Sequence, residues 1–314
     1  MKSYTYRHGH GGLRLAYDGE HNLYHGKGRM RDYLRYMRDM AEGTLKVPWK
    51  VASTGRVRDV REEIYGGEKD WAWINGGGDI VIGSAEDCER LADRGWSDGV
   101  TQVRALAREL RNAVPEAESI GPMFKFCEEG DEIDMHRLWD GDDNMWYGMD
   151  TGRKPAPRII TLVAPHGGHC GLNNDQLFWI GASTVVLTDL LEKAGYRVRI
   201  KCYASADHSS HTSITETLIK ESDEHLPMAH IATAMSLAGY FRTVGFRWKA
   251  NGPRDPGSGY GCPSYIESDR HLRKHAERIG LVDSATVLVH EVRDREACEK
   301  EIKRLIKTIE SLRQ

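Results

Sequence analysis

The feature that most constrains the fold lies in the middle of the chain. Arg158 to Val163 is an apolar run of strand type, followed by a Gly/His-rich loop over Pro165 to Asn173. Asn174 to Ala194 then has the length of a long helix and stops at Gly195, and Arg197 to Tyr203 alternates Val198, Ile200 and Cys202. Strand, loop, helix and strand in this order make a crossover unit. A parallel pair of strands needs such a connection, and the crossover is right-handed. The class that follows is α/β, a parallel or mixed sheet with flanking helices. Further strands are predicted at Thr243 to Trp248 and Thr286 to Val289. A closing helix is predicted from Asp294, where Cys298, Ile302, Leu305, Ile309 and Leu312 keep a 4-3-4-3 spacing.

The N-terminal half reads as a separate α+β region over residues 1–150, ahead of an α/β domain at 158–314. Thr151 to Pro157, with two prolines and a glycine, reads as the linker. Leu13 and Leu15 suggest a strand. Met30 to Ala41 reads as a helix that buries Leu34, Met37 and Ala41 and turns Arg31, Arg35 and Arg38 to another face. Further helices are expected at Arg56 to Ile64, from Ser84, and at Thr101 to Ala113. A strand–turn–strand is expected around Asn75 to Asp79.

Charge is unevenly spread. Residues 1–65 hold 13 Lys+Arg against 8 Asp+Glu, residues 66–150 hold 8 against 20, and residues 151–314 hold 23 against 19. A basic arm ahead of an acidic segment suits a polyanion, or pairing with a neighbouring subunit. The most apolar stretch, Phe178 to Leu191, is interrupted by Thr184, Thr188 and Asp189 and is too short to span a bilayer. No apolar segment follows Met1-Lys2-Ser3-Tyr4, so no secretory signal is expected. The six cysteines form no Cys-x-x-Cys pair, which fits reduced thiols in a cytosol.

The run Ile159 to Gly168 before a long helix that ends in Leu190-Leu191-Glu192-Lys193-Ala194-Gly195 resembles the first β–α–β of von Willebrand A-type domains. The resemblance covers roughly residues 158–312 and implies a Rossmann-type sheet. Those domains hold a divalent cation through an Asp-x-Ser-x-Ser motif after the first strand. The aligned residues here are Ala164, His166 and Gly168. Alanine and glycine offer no oxygen side chain to a hard cation, so the metal-dependent function is not carried over.

Gly95-Trp96-x-x-Gly99, the acidic stretch from Asp131 through Arg137 to Trp146, and His230 to Phe246 with Arg242 resemble a family of bacteriophage proteins. Among these the likeness is to the single-stranded-DNA-binding transcription regulators of short-tailed phages that package a giant RNA polymerase. The resemblance implies a non-enzymatic protein of the host cytoplasm, with single-stranded DNA as ligand and a phage RNA polymerase or another phage protein as partner. It also implies a homo-oligomer without a cofactor or membrane association.

The residues supply two candidate sites. Arg29, Arg31, Arg35 and Arg38 would contact phosphates, and Tyr33, Tyr36 and Trp49 would stack on bases. The alternative is a solvated helix face with core aromatics. His166, His169 and Cys170 after one strand, with His208 and His211 after the next, would meet at one sheet edge and hold a borderline metal such as zinc. That set carries a metal-dependent hydrolase as one alternative function. A von Willebrand A-like adaptor that docks on a protein is the other. Gly76-Gly77-Gly78 lacks the Lys-Ser/Thr of a phosphate loop. The carboxylates from Glu128 to Asp134 read as an exposed acidic loop, with nuclease metal binding or a basic docking partner as alternatives. No nucleophile elbow, dinucleotide fingerprint or Walker motif occurs.

Overall fold

The computed structural model describes residues 2–8, 11–41, 82–83, 85–113, 124–128, 130, 132–149, 159–166, 171–193, 196–208, 211–245, 248 and 264–312. Trp49, the segments 56–64 and 71–81, Ser84, the 151–157 linker, His169 and Cys170 lie outside them.

The crossover unit forms as its sequence demands. Strand β7 (Ile159–Pro165) leads into helix α5 (Asn174–Lys193), which returns to β8 (Arg197–His208). The two strands are parallel and adjacent, with Ile160 opposite Val198 and Leu162 opposite Ile200. Helix α5 starts on a reciprocal cap: Gln176 N donates to Asn173 Oδ1 at 2.9 Å and Asn173 N to Gln176 Oε1 at 3.1 Å. Its buried hydroxyls bond back along the helix. Ser183 and Thr184 donate to the Ile180 carbonyl and Thr188 to that of Thr184, so these polar residues enter the core satisfied.

The sheet has seven strands in the order β1-β2-β3-β9-β8-β7-β10. β1 (Lys2–His8), β2 (Gly11–Asp18) and β3 (Leu23–Gly28) form an antiparallel meander, and β3 pairs in parallel with β9 (His211–Lys220). β9 is antiparallel to β8, and the short β10 (Thr286–Leu288) is parallel to β7. The expected boundary at 150–158 therefore does not divide the sheet. Hydrogen bonding between β3 and β9 joins residues almost two hundred positions apart, which local sequence patterns do not report.

One face of the sheet is covered by α1 (Met30–Ala41), α3 (Ser97–Ala113), α5 and the closing helix α9 (Arg295–Leu312), together with α2 (Ala85–Arg94). Cys298, Ile302 and Leu305 of α9 are fully buried, as their spacing requires. α8 (Arg270–Arg278) covers the other face, where Leu272 and Ala276 meet Val163, Tyr203 and Ile214. A separate three-stranded sheet, β4 (Phe124–Cys127), β6 (Trp146–Met149) and β5 (Glu132–Ile133), carries the short helix α4 (Met135–Trp139).

The described residues of the strand expected at Thr243 to Trp248, 243–245 and 248, are helical instead. Residues 228–245 run as two short helices, α6 (Met228–Ile231) and α7 (Ala238–Tyr240), alternating with π-helical segments at Ala232–Ser236 and Phe241–Gly245. This stretch is buried almost throughout from Ile231 onward. A segment that is apolar on all sides shows neither period, so strand and helix look alike in the sequence. Trp248 lies flat on Tyr24, with ring centroids 4.4 Å apart, and sits directly over Gly26, where a Cβ would collide with the indole.

An ionic cluster sits on the α8 face. Glu216 is fully buried and has Lys201 at 2.9 Å, Lys27 at 3.1 Å and His25 at 3.5 Å. Burial by itself would raise the Glu216 carboxyl, but His25, Lys201 and Lys27 outweigh it and hold it at about 2.

Candidate nucleic-acid interface

Helix α1 begins where Asp32, in its first turn, accepts a hydrogen bond from Arg29 N at 3.0 Å. From that start its apolar residues take one side. Leu34 and Met37 are buried as expected, and so are Tyr33 at 2% and Tyr36 at 0% exposure. The Tyr33 hydroxyl donates to the Glu216 carbonyl at 2.7 Å, and Tyr36 meets Tyr6 edge to face at 5.9 Å. These rings are core, so the stacking role expected of Tyr33 and Tyr36 falls away: neither presents a face to a base. Tyr24, stacked under Trp248, is equally withdrawn.

The arginines take the other side. Arg31, Arg35 and Arg38 line a groove of about 510 Å³ whose far wall is α2, which contributes Arg90 and Arg94. Five arginines face Glu89 and Asp93 there. Arg38 pairs with Glu89 at 2.7 Å and Arg31 lies 3.8 Å from Asp93, while Arg90 reaches back to Asp87 at 3.2 Å. Among the described residues Arg35 and Arg94 make no ion pair. The pairs that exist are exposed and weak, so an anion can displace them at little cost.

A second cleft of about 270 Å³ shares Arg31 and Asp93 with the first and continues it past Arg29, His225 and His230. Arg29 is held by Glu224 at 2.5 Å. Burial, with Arg29 nearby, keeps His230 below the usual histidine range, against the opposing pull of the Asp93 carbonyl. The result is one basic trough, and all four arginines singled out in the sequence lie in it. Arg90 and Arg94 join them from α2, at the same i, i+4 spacing as Arg31 and Arg35.

Of the residues expected to share a metal, the described ones, His166, His208 and His211, are not all brought together; His169 and Cys170 lie outside the described residues. His166 follows β7, donates its backbone N–H to the Tyr203 carbonyl at 2.7 Å, and is buried against Tyr240 and Phe241. His211 starts β9 opposite His208, at the far end of a β8 that extends five residues beyond Tyr203. At about 3.3 Å per residue that is a separation of roughly 17 Å along the strand, far beyond the reach of one ion. β8 outruns β7 because its partner there is the hairpin strand β9. The group of three or more described His, Cys, Asp and Glu side chains that approach within ligand distance is Asp18, Glu20 and His21 in the β2–β3 turn. Arg278 already places its guanidinium 3.2 Å from Asp18 and 2.8 Å from His21.

Fold and site together define an α/β protein with a mixed sheet and a cationic trough between two surface helices. The chain belongs to the DUF7192 family, a domain of unknown function, whose model matches residues 31–311. Comparison with curated proteins and with solved structures finds no match. Among the described residues no helix is long and apolar enough to cross a membrane.

Proposed function

We propose that this protein binds single-stranded DNA along the trough between α1 and α2, without catalysing a reaction, in phage transcription or replication. The observation that carries the proposal is the convergence of Arg31, Arg35 and Arg38 with Arg90 and Arg94 on one groove. Contacts of this kind neutralise phosphates and release counterions whatever the base sequence. Arg31 to Arg38 span about 10 Å of helix, the rise of roughly three stacked nucleotides. A single strand can follow such a groove, whereas a duplex is a stiff cylinder that touches it along one backbone only. With Tyr33 and Tyr36 in the core, backbone contact supplies the affinity, and Trp49 is the remaining ring of the expected set.

Fluorescence anisotropy with labelled single-stranded and duplex DNA across a salt series tests this. The single strand is expected to bind more tightly, with affinity falling steeply as salt rises. Arg31→Ala with Arg35→Ala is expected to weaken binding and flatten the log–log salt slope by about 1.4, two phosphates' worth for a single strand. Absence of salt-sensitive binding at low ionic strength refutes the reading.

A protein-docking role is the second reading, and a separate observation favours it. The small sheet and α4 expose Trp139 at 78%, Met135 at 51% and Ile133 at 40%, a concentration of apolar side chains beside Asp134 and Asp140. If docking is the main role, Trp139→Ser abolishes partner capture and leaves DNA binding unchanged.

A further inference from the structure

The face of the sheet opposite α1 carries another cleft, of about 360 Å³, over β2 and β3 and bounded by the end of α8. Its two ends differ in charge. At one end Arg14 and Lys27 are cross-strand partners, and both side chains line the cleft. Directly opposed side chains have their Cβ atoms about 5 Å apart, and like charges so placed destabilise a sheet. Lys27 has Glu216 at 3.1 Å, but that carboxylate also serves Lys201 at 2.9 Å. Arg14 makes no ion pair among the described residues. Two lysines therefore share one carboxylate, and Arg14 has no carboxylate partner of its own among the described residues.

The opposite end is different. Asp18 and Glu20 line it, and Arg278 lies against Asp18 at 3.2 Å. Between the ends lie Ala16 and its cross-strand partner His25, and Leu23, opposite Asp18, adds apolar lining at the acidic end.

We propose that this cleft binds a phosphate monoester of mononucleotide size, with the phosphate between Arg14 and Lys27 and the ligand's hydrogen-bond donors toward Asp18 and Glu20. A dianion offsets the opposed charges of Arg14 and Lys27, and a guanidinium grips phosphate through paired hydrogen bonds. The volume falls in the range of small-ligand sites, and Ala16 and Leu23 offer apolar contact to a sugar or base face. The acidic end selects against a second phosphate. Two sources share this chemistry: a free mononucleotide and the phosphorylated end of a nucleic-acid strand. The cleft and the trough lie on opposite faces of the sheet, so this inference is independent of the DNA-binding proposal.

Isothermal titration of the whole protein with deoxyadenosine 5′-monophosphate, deoxyadenosine and inorganic phosphate tests it. The monophosphate is expected to bind saturably and at least tenfold more tightly than the nucleoside. Arg14→Ala is expected to weaken it at least tenfold without lowering the melting temperature, because the substitution removes a repulsion. Arg14→Lys should recover part of the loss. Ala16→Phe, which fills the middle of the cleft, is expected to abolish binding, and Arg35→Ala with Arg90→Ala in the trough is expected to leave it unchanged. Tighter binding of a 5′-phosphorylated than a 5′-hydroxyl oligonucleotide, lost in Arg14→Ala, assigns the site to strand ends. Binding of the mononucleotide alone assigns it to a free nucleotide. Equal binding of nucleoside and monophosphate, or an Arg14→Ala protein that binds like the wild type, overturns the proposal.

Discussion

Replacing Glu216 by Gln removes the one carboxylate of the buried cluster while keeping its shape. Lys201, at 6% exposure, is then left with its charge inside the protein and no counter-ion at Glu216, whereas Lys27 is about half exposed and recovers water. Two lines of reasoning give the magnitude. A carboxylate that titrates near 4.5 in the unfolded chain and at about 2 in the folded one contributes ~3 kcal/mol at neutral pH. Breaking a buried pair from one side costs about 3–5 kcal/mol. The folded value lies below the unfolded one, so the contribution is fully present above 4.5 and is lost as pH falls toward 2. Urea unfolding of wild type and Glu216→Gln between pH 7 and pH 3 measures both statements. The variant is expected to be ~3 kcal/mol less stable at pH 7, and the gap is expected to narrow steadily below pH 4.5. Since the other carboxylates titrate in both proteins, the difference isolates Glu216. Adding Lys201→Met to the variant should recover much of the loss, because it removes the stranded charge. A gap under about 1 kcal/mol at pH 7, or one that stays constant down to pH 3, refutes the reasoning.

Gly26→Ala drives a methyl group into the Trp248 indole, so a loss of about 1–3 kcal/mol is expected, read in thermal melts together with a change in tryptophan fluorescence. Cys88, Cys202 and Cys298 are buried thiols, and burial pushes Cys202 and Cys298 well up. Peptide mapping after alkylation is expected to find these three unlabelled in the native protein and labelled in denaturant. Trp139→Ser, at a side chain 78% exposed, is expected to change stability by under about 0.5 kcal/mol, whereas Trp248→Ala should cost about 3–5 kcal/mol, both by urea titration.

How far the candidate sites were legible follows from what kind of signal each one left. The trough was half visible. Arg31, Arg35 and Arg38 share a helix face by spacing alone, but their convergence with Arg90 and Arg94 depends on α2 packing beside α1. The tyrosines were misassigned because a ring next to an arginine in the sequence points elsewhere around the helix, and Tyr33 and Tyr36 follow Leu34 and Met37 inward. For the metal set the deciding fact is length: sequence order puts both loops at one sheet edge, and the extension of β8 along β9 separates His166 from His208 and His211 by about 17 Å.

The sequence by itself determined the elements whose periods are local. The three elements of the β7–α5–β8 crossover, α1 and the buried stripe of α9 each announce themselves within twenty residues, because backbone hydrogen bonding and side-chain direction repeat over that range. Tertiary structure decided the rest. It inserted the N-terminal meander into the same sheet through β3 and β9, and it opposed Arg14 to Lys27 across two strands. It coiled residues 228–245 into π-helical turns where a strand had been expected, and it enclosed Glu216 among Lys27, Lys201 and His25. Each of these rests on strand pairing or burial between distant segments, and the energy of such contacts belongs to the pair rather than to either segment alone.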